Sequence, residues 1–213
     1  MSNLSFSLYT FSFSLSMNCS RNTGGSISMK LLLIGLVIFL SSHLLPTFTG
    51  IRQGLINRLG LYPYKGLFGL VALLGLSLIV IGKQQAASIL LWQPPSWGST
   101  ITYIIMLPAL VLLAAAYLPG NSKRYTRHPM LWGVTLWSVA HLFANGDLAS
   151  MLIFISLGLF ALFDMWSANR RGAVYSVVKR SPGWDLLVIV IGVVAYIAVL
   201  SVHPASSPLR LFG

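Results

Sequence analysis

The four histidines are the residues of this chain best equipped for chemistry, and their settings differ. His43 and His141 stand inside long apolar runs, whereas His128 and His203 fall where such runs end. An ionisable side chain in hydrocarbon is costly and normally faces the interior of a helix bundle or a bound group, and neutral imidazole is a common axial ligand of haem iron. Two intramembrane imidazoles therefore suggest a clamp on a haem. The plainer alternative is that each ring only donates a hydrogen bond to a helix carbonyl or to a nearby Ser, Thr or Asn, as polar side chains between membrane helices do. The neighbours allow both. Ser41, Ser42 and Thr47 surround His43, with Pro46 three residues on, and Trp137, Ser138 and Asn145 share a helix face with His141.

A second candidate is the basic segment KRYTRHPMLWG at 123–133, where Pro129 suits the first turn of a helix because its missing N–H costs nothing there. Lys123, Arg124, Arg127 and His128 precede that helix start, and cations converging with backbone donors suit a phosphate, a carboxylate or a haem propionate. The competing explanation is simple anchoring of a loop by positive charge. Arg52 is a further candidate, nine residues beyond His43 and so about 13 Å along a continuous helix axis. Asp164, close in sequence to Arg170 and Arg171, reads as an interfacial ion-pair partner rather than a proton relay. Trp92, Trp97, Tyr62, Tyr64 and Trp184 flank the apolar runs and read as interfacial belts, and glycines such as Gly69 and Gly75 read as sites of close helix packing.

The elements that must position these residues are membrane helices. Apolar residues make up 56% of the chain and charged residues 8%, against about 25% charged in soluble domains. Mean hydropathy is +0.81. The formal charge of +11 would suggest nucleic acid in a soluble protein, but the 14 Lys and Arg fall between apolar runs, where they serve topology and lipid headgroups. A nucleic-acid partner is therefore not expected. The acidic residues are Asp147, Asp164 and Asp185 alone, which excludes paired-glutamate acid–base chemistry and carboxylate-bridged dimetal sites. The single Cys19 allows no intramolecular disulfide, and no Cys or His pair has zinc-finger spacing.

The expected fold is all-α, a polytopic transmembrane bundle of about six spans at 30–49, 64–82, 99–118, 130–145, 148–166 and 185–202. The fourth is short and joins the fifth through Asn145-Gly146-Asp147, so a five-span arrangement with a helical hairpin is the alternative. Residues 1–28, rich in Ser, Phe and Asn, read as a non-core segment, with Met29 as the expected initiator and a transit peptide as its rival. Residues 29–213 read as a single transmembrane domain. The loops at 50–65, 119–129 and 167–184 carry ten Lys and Arg against four elsewhere, which puts those loops in the cytoplasm and both termini outside. On that orientation His43 lies roughly 12 Å and His141 roughly 18 Å from the cytoplasmic helix ends, depths compatible with one shared cofactor.

The stretches SSHLLPTFTGIRQGL at 41–55, LYPYKGLFGL at 61–70 and, above all, RYTRHPMLWGVTLWSVAHLFANGD at 124–147 resemble the NnrU family of bacterial membrane proteins. The resemblance extends over nearly everything after Met29. That family is similar to plastid and cyanobacterial 15-cis-zeta-carotene isomerases, which bind haem b through histidines. Carried over by motif, the resemblance makes His43 and His141 the axial ligands and therefore the metal-binding residues. In the isomerase branch a Cys three residues before the second His is implicated in ligand switching, and Ser138 stands there instead. Bacterial NnrU is associated with expression or activity of nitrite and nitric oxide reductases. The resemblance thus implies an inner-membrane protein with a redox-linked or accessory role in denitrification and a respiratory-enzyme partner. The alternative is haem-dependent cis–trans isomerisation of an apolar polyene. A membrane methyltransferase, which shares RHP-x3-G, is a third reading, but its later acidic pair is missing from NRRGAVYSVVKRSPGWD at 169–185.

Overall fold

The computed structural model describes residues 27–203, and the 1–28 segment, apart from its last two residues, lies outside the described residues, as does the C-terminus. The described chain is helical throughout its apolar runs. Helix α1 covers 27–44 and passes through a 3-10 turn at Leu45–Thr47 into α2 (Thr49–Leu59). There follow α3 (Leu61–Gln85), α4 (Gly98–Tyr117), a single turn α5 (Ser122–Tyr125), α6 (Pro129–Ala144), α7 (Leu148–Arg170) and α8 (Pro182–Val202). Among the described residues the one β feature is an isolated bridge between Leu90 and Asp147. Five helices are long and apolar enough to cross a membrane, α1 with its following turn, α3, α4, α7 and α8, and α6 is a shorter apolar helix. Their outward faces carry large apolar side chains, such as Leu186 at 63% and Val194 at 59% exposure on α8. Surfaces of that kind require lipid rather than water.

The chain forms two compact units, one running to Leu90 and regaining the chain at Asp147–Ala149, the other comprising Leu91–Gly146 and the chain from Ser150 onward. In the first unit α1 and α3 pack antiparallel through glycine. A Cβ added at Gly35 would stand 2.7 Å from the Ile79 backbone nitrogen, one at Gly75 2.8 Å from that of Phe39, and one at Gly82 2.5 Å from that of Leu32. Backbones approach this closely only where neither side carries a Cβ in the way. Gly69, in contrast, has nothing within 4 Å, so close packing belongs to Gly75 and not to Gly69. Gly60 separates α2 from α3 with φ of 87°, a left-handed value that L side chains resist. At the far end of α3, Lys83 Nζ pairs with Asp147 Oδ1 at 2.7 Å, and the Leu148 N–H donates to the Ile89 carbonyl.

In the second unit α4 packs against both α6 and α8. The Thr102 hydroxyl donates to the Ala140 carbonyl at 2.7 Å, Gly133 meets the Ala109 carbonyl, Gly192 meets Val111, and the Tyr196 hydroxyl donates to the Tyr103 carbonyl. Helices α6 and α7 are antiparallel neighbours along the whole of α6. His128 meets Asn169, Leu131 packs with Ala161 and Met165, Ser138 faces Gly158, and His141 stacks on Phe154. The 16-residue α6 therefore climbs beside α7 from one end to the other, which makes a sixth crossing despite its length. The linkers beyond these helices are tied together. Asp185 accepts from the Asn121 backbone N–H and Nδ2 at 2.6 Å each, Asn121 also exchanges bonds with the backbone of Arg180, and the Ser176 N–H donates to the Lys123 carbonyl. Asn121→Ala is expected to lower the thermal midpoint in detergent by the order of 5 °C, since its buried side chain makes three of these bonds. Asn57→Ala, which removes one exposed bond to Gln53, should leave it unchanged.

Candidate functional site

Both intramembrane histidines are held in the same way. The His43 Nδ1 lies 2.8 Å from the Phe39 carbonyl, four residues earlier, and the His141 Nδ1 lies 2.9 Å from the Trp137 carbonyl, also four residues earlier. A carbonyl only accepts, so Nδ1 carries the proton in each ring and the lone pair resides on Nε2. Each ring is also braced by aromatics. His43 stacks on Phe39 with centroids 4.1 Å apart and meets Phe68 at 5.3 Å; His141 stacks on Phe154 at 4.7 Å and meets Trp137 at 5.1 Å. Metal-ligating imidazoles are commonly held in this way, with one ring nitrogen on a backbone acceptor, and so are histidines that only join membrane helices.

His43 stands one residue before the end of α1, because Pro46 cannot donate to the helix ladder and the chain turns through Leu45–Thr47. The first span thus ends at Leu44 rather than at residue 49, and the segment expected to be a loop holds α2. Arg52 lies half-buried on α2, beyond that turn, so neither the axial separation of about 13 Å from His43 nor the expected depth of about 12 Å for His43 applies, and His43 stands at the C-terminal end of its helix. Beside His43 an apolar cavity of about 410 Å³ opens between α1, α2 and α3, with Val37, Ile38, Leu55, Leu67 and Phe68 in its walls. Phe68 touches both the cavity and the His43 ring.

His141 sits in the last turn of α6, and its ring is 6.3 Å from that of His203 at the end of α8. No spacing in the sequence signals that proximity, since 62 residues separate the two. Ser138, one turn earlier, is buried with no partner for its hydroxyl among the described residues and faces Gly158. Arg127 and His128 occupy the opposite end of α6, about 20 Å along the axis from His141. Their partners are local. Arg127 donates to the Ala173 carbonyl at 3.4 Å and covers the Tyr175 ring at 4.9 Å, and His128 Nε2 lies 2.9 Å from Asn169 Oδ1. Asp164 pairs with Arg171 at 3.6 Å, as its sequence position suggested, while Arg170 lies over the Trp166 ring at 4.2 Å.

Among the described residues no group of three or more His, Cys, Asp or Glu comes together. No curated protein and no solved structure matches the chain. His43, His141 and the RHP start of α6 all fall within residues 31–208, which match the family model described as NnrU protein, and the chain belongs to that family.

Proposed function

We propose that this NnrU-family membrane protein binds haem b through His43 and His141 and serves nitrogen-oxide reduction in an accessory, redox-linked role. The observation that carries the reading is the matched setting of the two imidazoles, each with Nδ1 on the carbonyl four residues before and each stacked on an aromatic ring. That setting selects the Nε2-ligating tautomer in both rings and limits their rotation. Haem, if bound, would supply a one-electron couple, and His43 and His141 would hold its iron through Nε2. Family membership fits a denitrification-associated membrane protein. The test is a reduced-minus-oxidised spectrum of the protein purified in mild detergent. A low-spin b-type difference spectrum with one haem per chain is expected, and its absence after haem-replete expression would refute the reading.

Polyene isomerisation is the second reading, favoured by the apolar cavity beside His43. Against it, a site with two histidine ligands blocks substrate access unless one leaves, and Ser138 is a poor substitute for a thiolate. The reduced protein is therefore expected to leave tri-cis-zeta-carotene unconverted; turnover would replace the accessory role with an enzymatic one.

The same proposal orients the protein. The basic linkers around Arg58, Arg124 and Arg171 face the cytoplasm and the α3–α4 loop faces outward. A cysteine introduced at Ser88 should react with an impermeant maleimide in intact cells and one introduced at Gly172 should not, and the reverse pattern would invert the topology.

A further inference from the structure

A second cavity, of about 260 Å³, opens between the linker that follows α4 and the linker that precedes α8. Lys123 contributes to one wall, and Ser176 and Arg180 to the other. The chain has only three carboxylates, and each is engaged: Asp147 with Lys83, Asp164 with Arg171, and Asp185 with Asn121. Asp185 stands behind the Gly120 edge of the cavity, where a Cβ would lie 3.1 Å from its Oδ1, but both its oxygens are turned to Asn121. Among the described residues neither Lys123 nor Arg180 forms an ion pair. Two cations against one carboxylate leave the cavity net positive among the described residues, a setting that favours an anionic ligand.

What surrounds the cavity indicates the source of that anion. The α7–α8 linker exposes Val174 at 81% and Val177 at 90%, with Tyr175 and Val178 half exposed, and it is bordered by Arg170, Arg171, Lys179 and Arg180. Tyr117, at the cavity mouth, is 80% exposed. Bare valines in a non-helical segment are unfavourable in water but suited to the headgroup and upper acyl layer of a bilayer, with the flanking cations at phosphate depth. The linker backbone is held in place by the Ser176–Lys123 backbone bond and the Asn121 bonds, which bring Lys123 and Arg180 to the lining of one cavity.

We propose that Lys123 and Arg180 form a binding site for the phosphate of an anionic phospholipid, whose chains lie beside the Val174–Val178 stretch. Lys supplies a point charge and Arg a planar fork, a pairing that suits one phosphodiester. The site is independent of the haem reading.

The test titrates the full-length protein, purified in detergent, with phosphatidylglycerol or phosphatidylcholine and counts bound lipid by native mass spectrometry. Preferential retention of phosphatidylglycerol is expected, weakened roughly fivefold for each of Lys123→Gln and Arg180→Gln. Lys123→Arg with Arg180→Lys should retain it, which separates loss of charge from loss of fold, and Arg58→Gln with Lys65→Gln should not affect it. Equal phosphatidylglycerol binding by the double glutamine variant and the parent would overturn the site. Displacement of the lipid by millimolar inorganic phosphate would overturn the lipid assignment in favour of a soluble phosphate.

Discussion

Exchange of His141 for alanine is expected to lower the haem content of the purified protein by roughly tenfold or more, since loss of a mere second-shell partner already costs ten- to a hundredfold in metal affinity. His43→Ala should act alike, and whatever haem either variant retains should be high-spin, because one axial nitrogen is gone. The variants have separate internal controls. His203→Ala removes a ring that borders His141 without sharing its backbone bond, and should keep both haem and low-spin spectrum. His128→Ala acts at the other end of α6, where the ring meets Asn169, and should also be silent in the spectrum. Full haem content and an unchanged spectrum in both His43→Ala and His141→Ala would remove the ligand assignment altogether.

The second large effect is expected from adding a branched side chain at one glycine of α3. Gly82→Val puts a Cβ within 2.5 Å of the Leu32 backbone nitrogen and 2.8 Å of its Cα, and backbone cannot rotate away as a side chain can. The helices must separate, breaking the neighbouring contacts at Gly75 and Gly35 as well. Overpacking of this kind costs about 1–3 kcal/mol, and a drop in thermal midpoint of about 10 °C in detergent is the expected reading. Gly69→Val is the matched control on the same helix, where nothing lies within 4 Å. If the two variants melt alike, the α1–α3 contact is not what holds the first unit.

Much of the architecture was legible because lipid imposes a simple grammar, long apolar runs between polar ends. The expected spans at 99–118, 130–145 and 185–202 differ from α4, α6 and α8 by at most three residues at either end. Ends were missed where polar residues continue a helix past its apolar run, as Lys83 does in α3 and Arg170 does in α7. The first span was drawn too long because apolar residues continue after Pro46, which ends the helix ladder. Helix α2 was invisible for the opposite reason. Arg52, Gln53, Asn57 and Arg58 give it no apolar stripe, and its support is local, as in the Gln53–Asn57 bond. At the candidate site, the two key histidines stood out by type, but the depth assigned to His43 fails because α1 ends at Leu44, and the aromatic braces of both rings are not visible in the sequence. Phe154 and His203 reach His141 from other helices, and Phe68 reaches His43 from α3, so only tertiary packing reveals them.

The ion pair between Lys83 and Asp147 bears on how the protein is made. Its two ends are 64 residues apart in the chain, and α4 and α6 must both leave the ribosome before the carboxylate exists. Until then the C-terminal end of α3 holds an ammonium without its Asp147 partner, and the Ile89 carbonyl awaits the Leu148 amide. Residues 27–90 are consequently an unfinished product of translation, sealed only when the start of α7 is threaded back to them. A nascent chain arrested before Asp147 should remain sensitive to membrane proteases, and one released after Ala149 should not.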